Sequence, residues 1–167
     1  MNACALTETQ SNAWIAFQRM RTRLTGQINR ELARETGLSE ADFEILAALI
    51  ARPDEPVRAI SLRCGIDWEK SRLSHQLRRM EQRGLVIRGH CAEDNRGAMV
   101  RITDAGRTLA EEAQHVHEQA VHRYVCGVLT QEQLAALGLI SEAILAALDD
   151  PNDAEHEPAG ASSALPG

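Results

Sequence analysis

Apolar residues recur at steps of three and four along most of the chain, the spacing of one buried face of an α-helix. The first stripe predicts a helix over 12–36, ended by Gly37, after a frayed segment over 1–11. Its apolar positions are Trp14, Phe17, Met20, Leu24, Ile28 and Leu32. Ser39 and Asp42 then form a capping-box pair that predicts the start of a second helix.

Two helices separated by a glycine turn are predicted in the middle of the chain. The first spans about 58–63 and the second spans 68–83, with Asp67 as its N-cap. Gly65, in the turn between them, is available for a left-handed conformation, and Gly84 stands where a C-terminal glycine should. Two helices joined in this way, the second with a basic polar face, are typical of a helix-turn-helix.

The second of these helices divides into an apolar and a polar side. Leu73, Leu77 and Met80 recur at helical spacing and should face the core. Trp68 either packs under this helix, which is the favoured reading, or supports a phosphate through its indole N–H. The polar residues left facing outward are Lys70, Ser71, Ser74, His75, Arg78 and Arg79.

Two short β-prone segments follow at 85–88 and 98–102 and flank a polar loop over 91–97. This is the pattern of a β-hairpin. A hairpin directly after such a helix predicts a wing. Together with the preceding helices it predicts a winged helix-turn-helix domain over 39–102.

The C-terminal part returns to helical spacing. Thr103 predicts the cap of a helix over 104–125, and Thr130 with Gln133 predicts a capping box for a helix over 131–148. The residues over 150–167 are mostly Asp, Glu, Pro, Ala, Gly and Ser, which is typical of a disordered acidic tail. The predicted fold class is therefore mainly α with a small β-wing, flanked by N- and C-terminal helices.

Composition narrows the function classes. The 167 residues are 44% hydrophobic and 25% charged, as in an ordinary globular domain. No apolar run approaches the roughly 18 residues of a membrane span, and the first residues do not resemble a secretory signal. The four cysteines are widely spaced, so we expect reduced thiols in the cytoplasm. No nucleophile–base constellation, metal-ligand cluster or cofactor motif is present, which disfavours an enzyme.

Charge is distributed unevenly along the chain. The segment 52–101 holds eleven Arg and Lys against seven acids, a net charge of +4, whereas the remaining residues carry −10. A basic middle in an acidic chain indicates a surface that binds a polyanion.

Two stretches in the right order resemble the MarR (multiple antibiotic resistance regulator) family of transcription regulators. The first is WEKSRLSHQLRRME over 68–81, continued by RGLV over 83–86. The second is DNRGA over 94–98, followed by TDAGR over 103–107. The resemblance covers about 14–148.

The resemblance implies a homodimer that binds a pseudo-palindromic operator in double-stranded DNA and is released by a small-molecule or redox signal. The resemblance implies that the dimerisation helices are 12–36 and those within 103–149. These helices carry apolar stripes outside the winged unit, and left exposed they would exceed what a soluble monomer usually tolerates. A repressor is the favoured role, although an activator is also compatible with the sequence.

Arg72 is the predicted base reader, because its guanidinium can bond both O6 and N7 of guanine. In the wing, Arg96 is expected in the minor groove, and the family's Asp-x-Arg pattern makes Asp94 its partner. The complete predicted DNA-binding set is Arg58, Lys70, Ser71, Arg72, Ser74, His75, Arg78, Arg79, Asp94 and Arg96.

An effector site is predicted only by analogy with relatives that bind small phenolic anions. Trp14, Arg21 and Arg23, together with the region of His75, would supply an apolar wall with a cationic end for an aromatic or anionic effector. The alternative function is a winged-helix adaptor that contacts proteins without sequence-specific DNA binding.

Overall fold

Six α-helices and a three-stranded antiparallel sheet are formed by residues 5–52, 55–90 and 98–149, the part of the chain that the computed structural model describes. The helices are α1 (Glu8–Thr36), α2 (Glu40–Ile50), α3 (Ala59–Gly65), α4 (Lys70–Gln82), α5 (Asp104–Val121) and α6 (Gln131–Leu148). The strands are β1 (Val57–Arg58), β2 (Val86–His90) and β3 (Ala98–Ile102). This mainly helical architecture with a small sheet confirms the predicted fold class. The chain divides into two units, one up to Tyr124 and one from Val125 onward.

Side-chain caps determine where the long helices begin. The predicted capping box of Ser39 and the predicted cap of Thr103 are both confirmed, as is the box of Thr130 with Gln133. The prediction of a frayed segment over 1–11 is wrong for its last residues, because α1 begins at Glu8. Thr7 accepts a hydrogen bond from the backbone N–H of Gln10, and this earlier capping box starts the helix upstream of its apolar stripe.

The turn before α4 differs from its prediction. Gly65 is the last residue of α3, and the left-handed conformation falls instead on Asp67, with φ 49°. Asp67 is therefore not the N-cap. Glu69 takes that position without a side-chain cap hydrogen bond, and α4 begins at Lys70. The short polar side chain of aspartate makes this backbone conformation less costly than it is for most residues.

The sheet has the strand order β1-β3-β2, and the predicted hairpin is confirmed as the antiparallel pair of β2 and β3. Strand β1 was not predicted, because two residues are too few to show an alternating pattern. Its Val57 lies opposite Val100 of β3, and this pairing joins the start of α3 to the hairpin. The predicted loop over 91–97 lies outside the described residues.

The core of the first unit lies between α2, α4, the sheet and the start of α5. Leu73, Leu77 and Met80 of α4 are at most 3% exposed, which confirms the predicted buried side of that helix. They pack in one cluster with Leu46 of α2 and Val100 of β3. The opposite side of α4 is consequently left to solvent.

A buried carboxylate ties α4 to the start of α2. Asp42 is 3% exposed, and its Oδ2 accepts hydrogen bonds from the N–H of Ser39 at 3.0 Å and from Nη1 of Arg83 at 2.8 Å. Its Oδ1 accepts from Nε2 of Gln76 at 2.6 Å. Arg83 also donates to the carbonyl oxygen of Gly37 at 3.1 Å. Together these bonds fix both the middle and the end of α4.

The same contacts set the ionisation of Asp42. Burial raises the pKa of this carboxyl, but the hydrogen bonds from Ser39 and the Arg83 guanidinium lower it more, and its pKa lies below the ordinary value of 3.8. The carboxylate is thus charged in the folded protein at neutral pH, as suits a group that only accepts hydrogen bonds.

A close backbone approach joins α5 to the end of α4. Thr103 Oγ1 donates to the carbonyl oxygen of Gly84 at 2.7 Å and accepts from the N–H of Gly106 at 2.9 Å. A Cβ atom at Gly106 would lie 2.0 Å from the carbonyl oxygen of Leu85. The glycine of the TDAGR stretch is therefore required by packing.

The end of α5 and the helix α6 complete the described chain. The predicted helix over 104–125 ends earlier, because α5 stops at Val121 and a π-helical turn spans His122–Cys126. Helix α6 has the predicted bounds, but no residue of it is buried. Contrary to the sequence expectation, α6 is long and apolar enough to cross a membrane by length and composition, with a mean hydropathy of 1.2. A helix with an apolar face against a partner would pass the same criterion.

We expect Asp42→Asn to lower the free energy of unfolding at pH 7 by about 2 kcal/mol, because Arg83 loses its anionic partner at a largely buried site. Since the folded-state pKa of Asp42 is lowered, this stabilisation is present above pH 3.8 and is lost as the pH falls through the folded-state value. Urea unfolding of wild type and variant between pH 3 and pH 7, at one protein concentration, measures the difference. The matched control is Glu35→Gln, which breaks an exposed ion pair with Arg34 and should leave the free energy of unfolding nearly unchanged. An equal effect of both variants would contradict the role of Asp42.

We expect Gly106→Ala to lower the free energy of unfolding by about 3 kcal/mol, because the added methyl group meets a backbone carbonyl that cannot rotate away. Urea unfolding under the same conditions tests this. Gly65→Ala is the control, since a Cβ there meets nothing within 4 Å and its φ is not positive. It should be neutral or slightly stabilising. A neutral Gly106→Ala would show that the approach of α5 to Leu85 is not tight.

Candidate nucleic-acid interface

The outward side of α4 is polar and strongly cationic. The residues predicted to face outward are exposed, which confirms that part of the prediction. They are Lys70, Ser71, Ser74, His75, Arg78 and Arg79, and Arg72, the predicted base reader, is exposed as well. The segregation follows from the sequence, because the apolar residues at 73, 77 and 80 turn the intervening polar positions away from the core.

Most of these cations have no acidic partner. Within the described parts of the chain, no ion pair involves Lys70, Arg72 or Arg78. Arg79 donates a hydrogen bond to Oε1 of Gln76, the residue whose amide group binds Asp42. Arg79 is thus partly committed to the protein, whereas the other three cations remain available to an external anion.

The one acidic residue within α4 is neutralised by the hairpin. Glu81 accepts from Nε of Arg88 at 2.8 Å, from its Nη2 at 2.7 Å and from its backbone N–H at 3.2 Å. The side-chain hydrogen bond from Arg88, followed by the backbone one, lowers the pKa of Glu81. This pair removes a negative charge from the surface of α4 and fixes the start of β2 against the helix. Neither residue was predicted to belong to the site.

Arg72 lies over an aromatic ring. Its Cζ is 3.9 Å from the centroid of the Trp68 ring, and Trp68 is itself 7% exposed and part of the core cluster. The packing interpretation of Trp68 is therefore confirmed. Both side chains border an open cavity of about 690 Å³ in front of the α3–α4 turn. The lining residues are Glu40, Glu44, Gly65, Ile66, Asp67, Trp68 and Arg72.

The remaining predicted DNA contacts lie outside α4. Arg58 is exposed at the end of β1, immediately before α3. Asp94 and Arg96 fall within 91–97, outside the described residues, and their roles stay predictions.

The predicted effector residues lie on the exposed N-terminal part of α1. Trp14 is 53% exposed and stacks on Phe17 with ring centroids 5.7 Å apart, and Arg21 and Arg23 are also exposed. None of the three predicted residues borders the cavity at Arg72. Among the described residues, no hydrogen bond, ion pair or ring contact joins them to His75, so an effector site there stays a prediction.

A second buried carboxylate joins α1 to the π-helical turn. Glu31 is 7% exposed and accepts hydrogen bonds from the hydroxyl of Tyr124, from Nε2 of Gln27 at 2.8 Å and from Nη1 of Arg123 at 3.3 Å. The bonds from Tyr124 and then Gln27 lower the pKa of Glu31. No sequence signal indicates this cluster, because Glu31 and Tyr124 are 93 positions apart. Across the described ranges, no group of three or more His, Cys, Asp or Glu side chains is arranged to hold a metal ion.

Two solved structures resemble this fold over nearly their whole length. AbsC, a MarR family transcriptional regulator from Streptomyces coelicolor, is 31% identical, with a TM-score of 0.80 over 86% of this chain and 97% of its own. Sco3205, a MarR family transcriptional regulator from the same organism solved in complex with DNA, is 29% identical. Its TM-score is 0.82 over 89% of this chain and 92% of its own.

A curated relative agrees with these structures. The uncharacterized HTH-type transcriptional regulator YdgJ from Bacillus subtilis is 26% identical over 106 residues, which are 64% of this chain and 63% of that protein. No family model matches the chain. The identity to AbsC, its near-complete coverage and the shared winged-helix fold lead to one assignment: this chain belongs to the MarR family of transcriptional regulators.

Proposed function

We propose that two copies of this chain bind duplex DNA sequence-specifically through α4 and thereby regulate transcription. The observation that carries the proposal is the row of exposed cations on α4, of which Lys70, Arg72 and Arg78 lack an ion pair within the described residues. Cations without partners cost little to bring against phosphates, because no internal ion pair has to break first. The solved complex of Sco3205 with DNA supports the same function.

The cations on α4 divide into two roles. We assign Arg72, in the first turn of the helix, to a base edge in the major groove, where the N-terminal residues of a recognition helix reach. Lys70 and Arg78 are assigned to phosphates, which fix the register of the protein without reading sequence. Ser71, Ser74, His75 and Arg79 complete the helix surface, Arg58 would add a contact from the end of β1, and Asp94 with Arg96 would form the minor-groove contact of the wing.

A second copy of the chain is inferred from the exposed apolar side chains of α6 and α1. Several large apolar side chains of α6 are at least half exposed, more than an isolated soluble helix usually presents. They are Leu139, Ile140, Ile144, Leu145 and Leu148. Trp14, Ile15 and Met20 of α1 are similarly exposed. Burial of both helices across a two-fold axis would remove on the order of 1,500 Å² from water. In such a dimer the two α4 helices contact DNA about 34 Å apart, or a multiple of it.

The regulator is proposed to be a cytoplasmic repressor without enzymatic activity. Its release from the operator would follow from a ligand that prefers a dimer whose α4 helices are wrongly spaced. A small aromatic or anionic effector near Trp14, Arg21 and Arg23 is one such signal, and oxidation is the other.

We expect Arg78→Ala and Arg72→Ala to weaken DNA binding in different ways. Removal of the Arg78 guanidinium from its phosphate should reduce affinity for the selected operator and for random duplex by the same factor. It should also reduce the salt slope by about one, because one phosphate is no longer neutralised. Removal of the Arg72 guanidinium from its base should reduce operator affinity about tenfold more than random-duplex affinity. Titrations from 50 to 300 mM salt, with an operator selected from random DNA by the wild type, measure both quantities.

Arg34→Ala serves as the control for these titrations, because it removes an exposed cation on α1 that pairs with Glu35. It should leave affinity and salt slope unchanged. A wild-type protein that binds no duplex at 50 mM salt would contradict the proposal and favour a protein-binding adaptor.

We expect Leu145→Glu to convert the dimer to a monomer, because it places a charge in the apolar surface of α6 that the partner would cover. Light scattering during size-exclusion chromatography measures the mass directly. Ile60→Glu is the control, since Ile60 is 61% exposed on α3, outside α1 and the C-terminal helices, and this variant should remain dimeric. A monomeric wild type, or a wild type that partitions into lipid vesicles through α6, would contradict the second copy as the occupant of this surface.

A further inference from the structure

Arg72 stands out among the cations of α4 because an aromatic ring holds it in place. Its Cζ lies over Trp68 at 3.9 Å from the ring centroid, well within the range of a cation–π interaction. Three carboxylate residues, Glu40, Glu44 and Asp67, border the same cavity, yet none forms an ion pair with Arg72. The guanidinium is therefore drawn to the ring and not to the neighbouring acids.

This difference matters for the hydrogen-bonding capacity of Arg72. An ion pair would occupy the N–H donors that a guanine must receive, and breaking it on DNA would cost free energy. A contact with the face of an indole ring occupies no donor, because the N–H groups lie in the plane of the guanidinium. Stacking thus restricts the side chain while leaving its hydrogen bonds for the base.

The platform under Arg72 is itself rigid. Trp68 packs in the core cluster, and its backbone N–H donates to the carbonyl oxygen of Arg63 at 3.2 Å. The left-handed backbone of Asp67 turns the chain just before it. The ring is thereby fixed to the body of the winged unit while its face meets Arg72, four positions later in the first turn of α4.

We propose that Trp68 is a positioning residue for sequence readout, which holds the Arg72 guanidinium in place and free of ion pairs so that its donors reach a base edge in the major groove. This inference rests on the proposed function, because it concerns the specificity of the same DNA contact. Trp68 would then determine how strongly the protein distinguishes its operator from other DNA, without touching DNA itself.

The test is a double-mutant cycle of Trp68 and Arg72. The measured quantity is the specificity ratio, the affinity for the selected operator divided by that for random duplex, at one salt concentration. The variants are Trp68→Leu, which keeps an apolar side chain but removes the ring, Trp68→Phe, which keeps an aromatic face, Arg72→Ala, and the combination of Trp68→Leu with Arg72→Ala. Urea unfolding of each variant measures the accompanying change in stability.

We expect Trp68→Leu to lower the specificity ratio about fivefold to tenfold, Trp68→Phe to retain more than half of it, and random-duplex affinity to change less than twofold. The double variant should have the same ratio as Arg72→Ala alone, because a residue that acts through Arg72 has no effect in its absence. If Trp68→Leu does not fold, Trp68→Met, whose longer and more flexible side chain also lacks the ring, replaces it in the cycle with the same expected loss of ratio. Arg72→Lys keeps the charge but not the planar fork and should lose the ratio as Arg72→Ala does.

Three results overturn the inference. Equal ratios for wild type and Trp68→Leu would show that the ring does not position Arg72, and additive losses in the double variant would show that Trp68 acts by another route. A normal ratio for Arg72→Ala would remove Arg72 from base readout. In each of these cases the wild type still binds its operator and regulation through DNA binding stands, although the third result removes the base contact assigned to Arg72. The proposed function itself fails if the wild type binds no duplex.

Discussion

The buried carboxylate of Asp42 is the interaction on which the presentation of α4 depends. One side chain satisfies the N-terminus of α2 and receives hydrogen bonds from the middle and the end of α4, through Gln76 and Arg83. Hydrophobic contacts alone would let a helix slide or rotate by small amounts, because they are not directional. Hydrogen bonds to a fixed carboxylate have direction, so the rotation of α4 and hence the direction of its outward side are defined.

The charge on the surface of α4 also depends on carboxylates that are paired within the protein. A chain with a net charge of −6 presents a cationic helix partly because two carboxylates in contact with α4 are paired with other residues. Asp42 is paired beneath α4, and Glu81 is bound at its end by Arg88. Within the described residues, Lys70, Arg72 and Arg78 form no ion pair with the acids that remain. The negative charge of the rest of the chain disfavours nonspecific contacts elsewhere on its surface.

The order and type of the helices and of the hairpin were predictable from the sequence, because capping residues and apolar spacing are local signals. Ser39, Thr103 and Thr130 each determine a helix start within a few residues. The two-residue strand β1 gives no periodic signal, and the left-handed residue of the α3–α4 turn is Asp67 where a glycine was expected. Strand β1 depends on its pairing with the distant β3, and no local signal distinguishes Asp67 from Gly65 as the left-handed residue.

In the candidate DNA-binding site, too, some features were predictable from the sequence and others were not. The exposure of the cations on α4 was predictable, since the apolar positions 73, 77 and 80 determine which side is buried. The contact of Trp68 with Arg72 and the pairing of Glu81 with Arg88 were not, although each pair is close in sequence. Their spacing in the sequence brings such residues close together. Several partners lie within reach of each side chain, however, and the spacing does not determine which of them it contacts. Glu31 and Tyr124, almost a hundred positions apart, had no signal at all.

The exposure of helix α6 has a consequence for how the protein folds. An isolated helix of this length is marginal in water, because the cost of its first turn is repaid only slowly by further hydrogen bonds. Helix α6 has no buried residue of its own to offset that cost. In the proposed dimer, formation of α6 and pairing of two chains would be a single event, and the amount of properly folded protein would then depend on how much of it the cell synthesises.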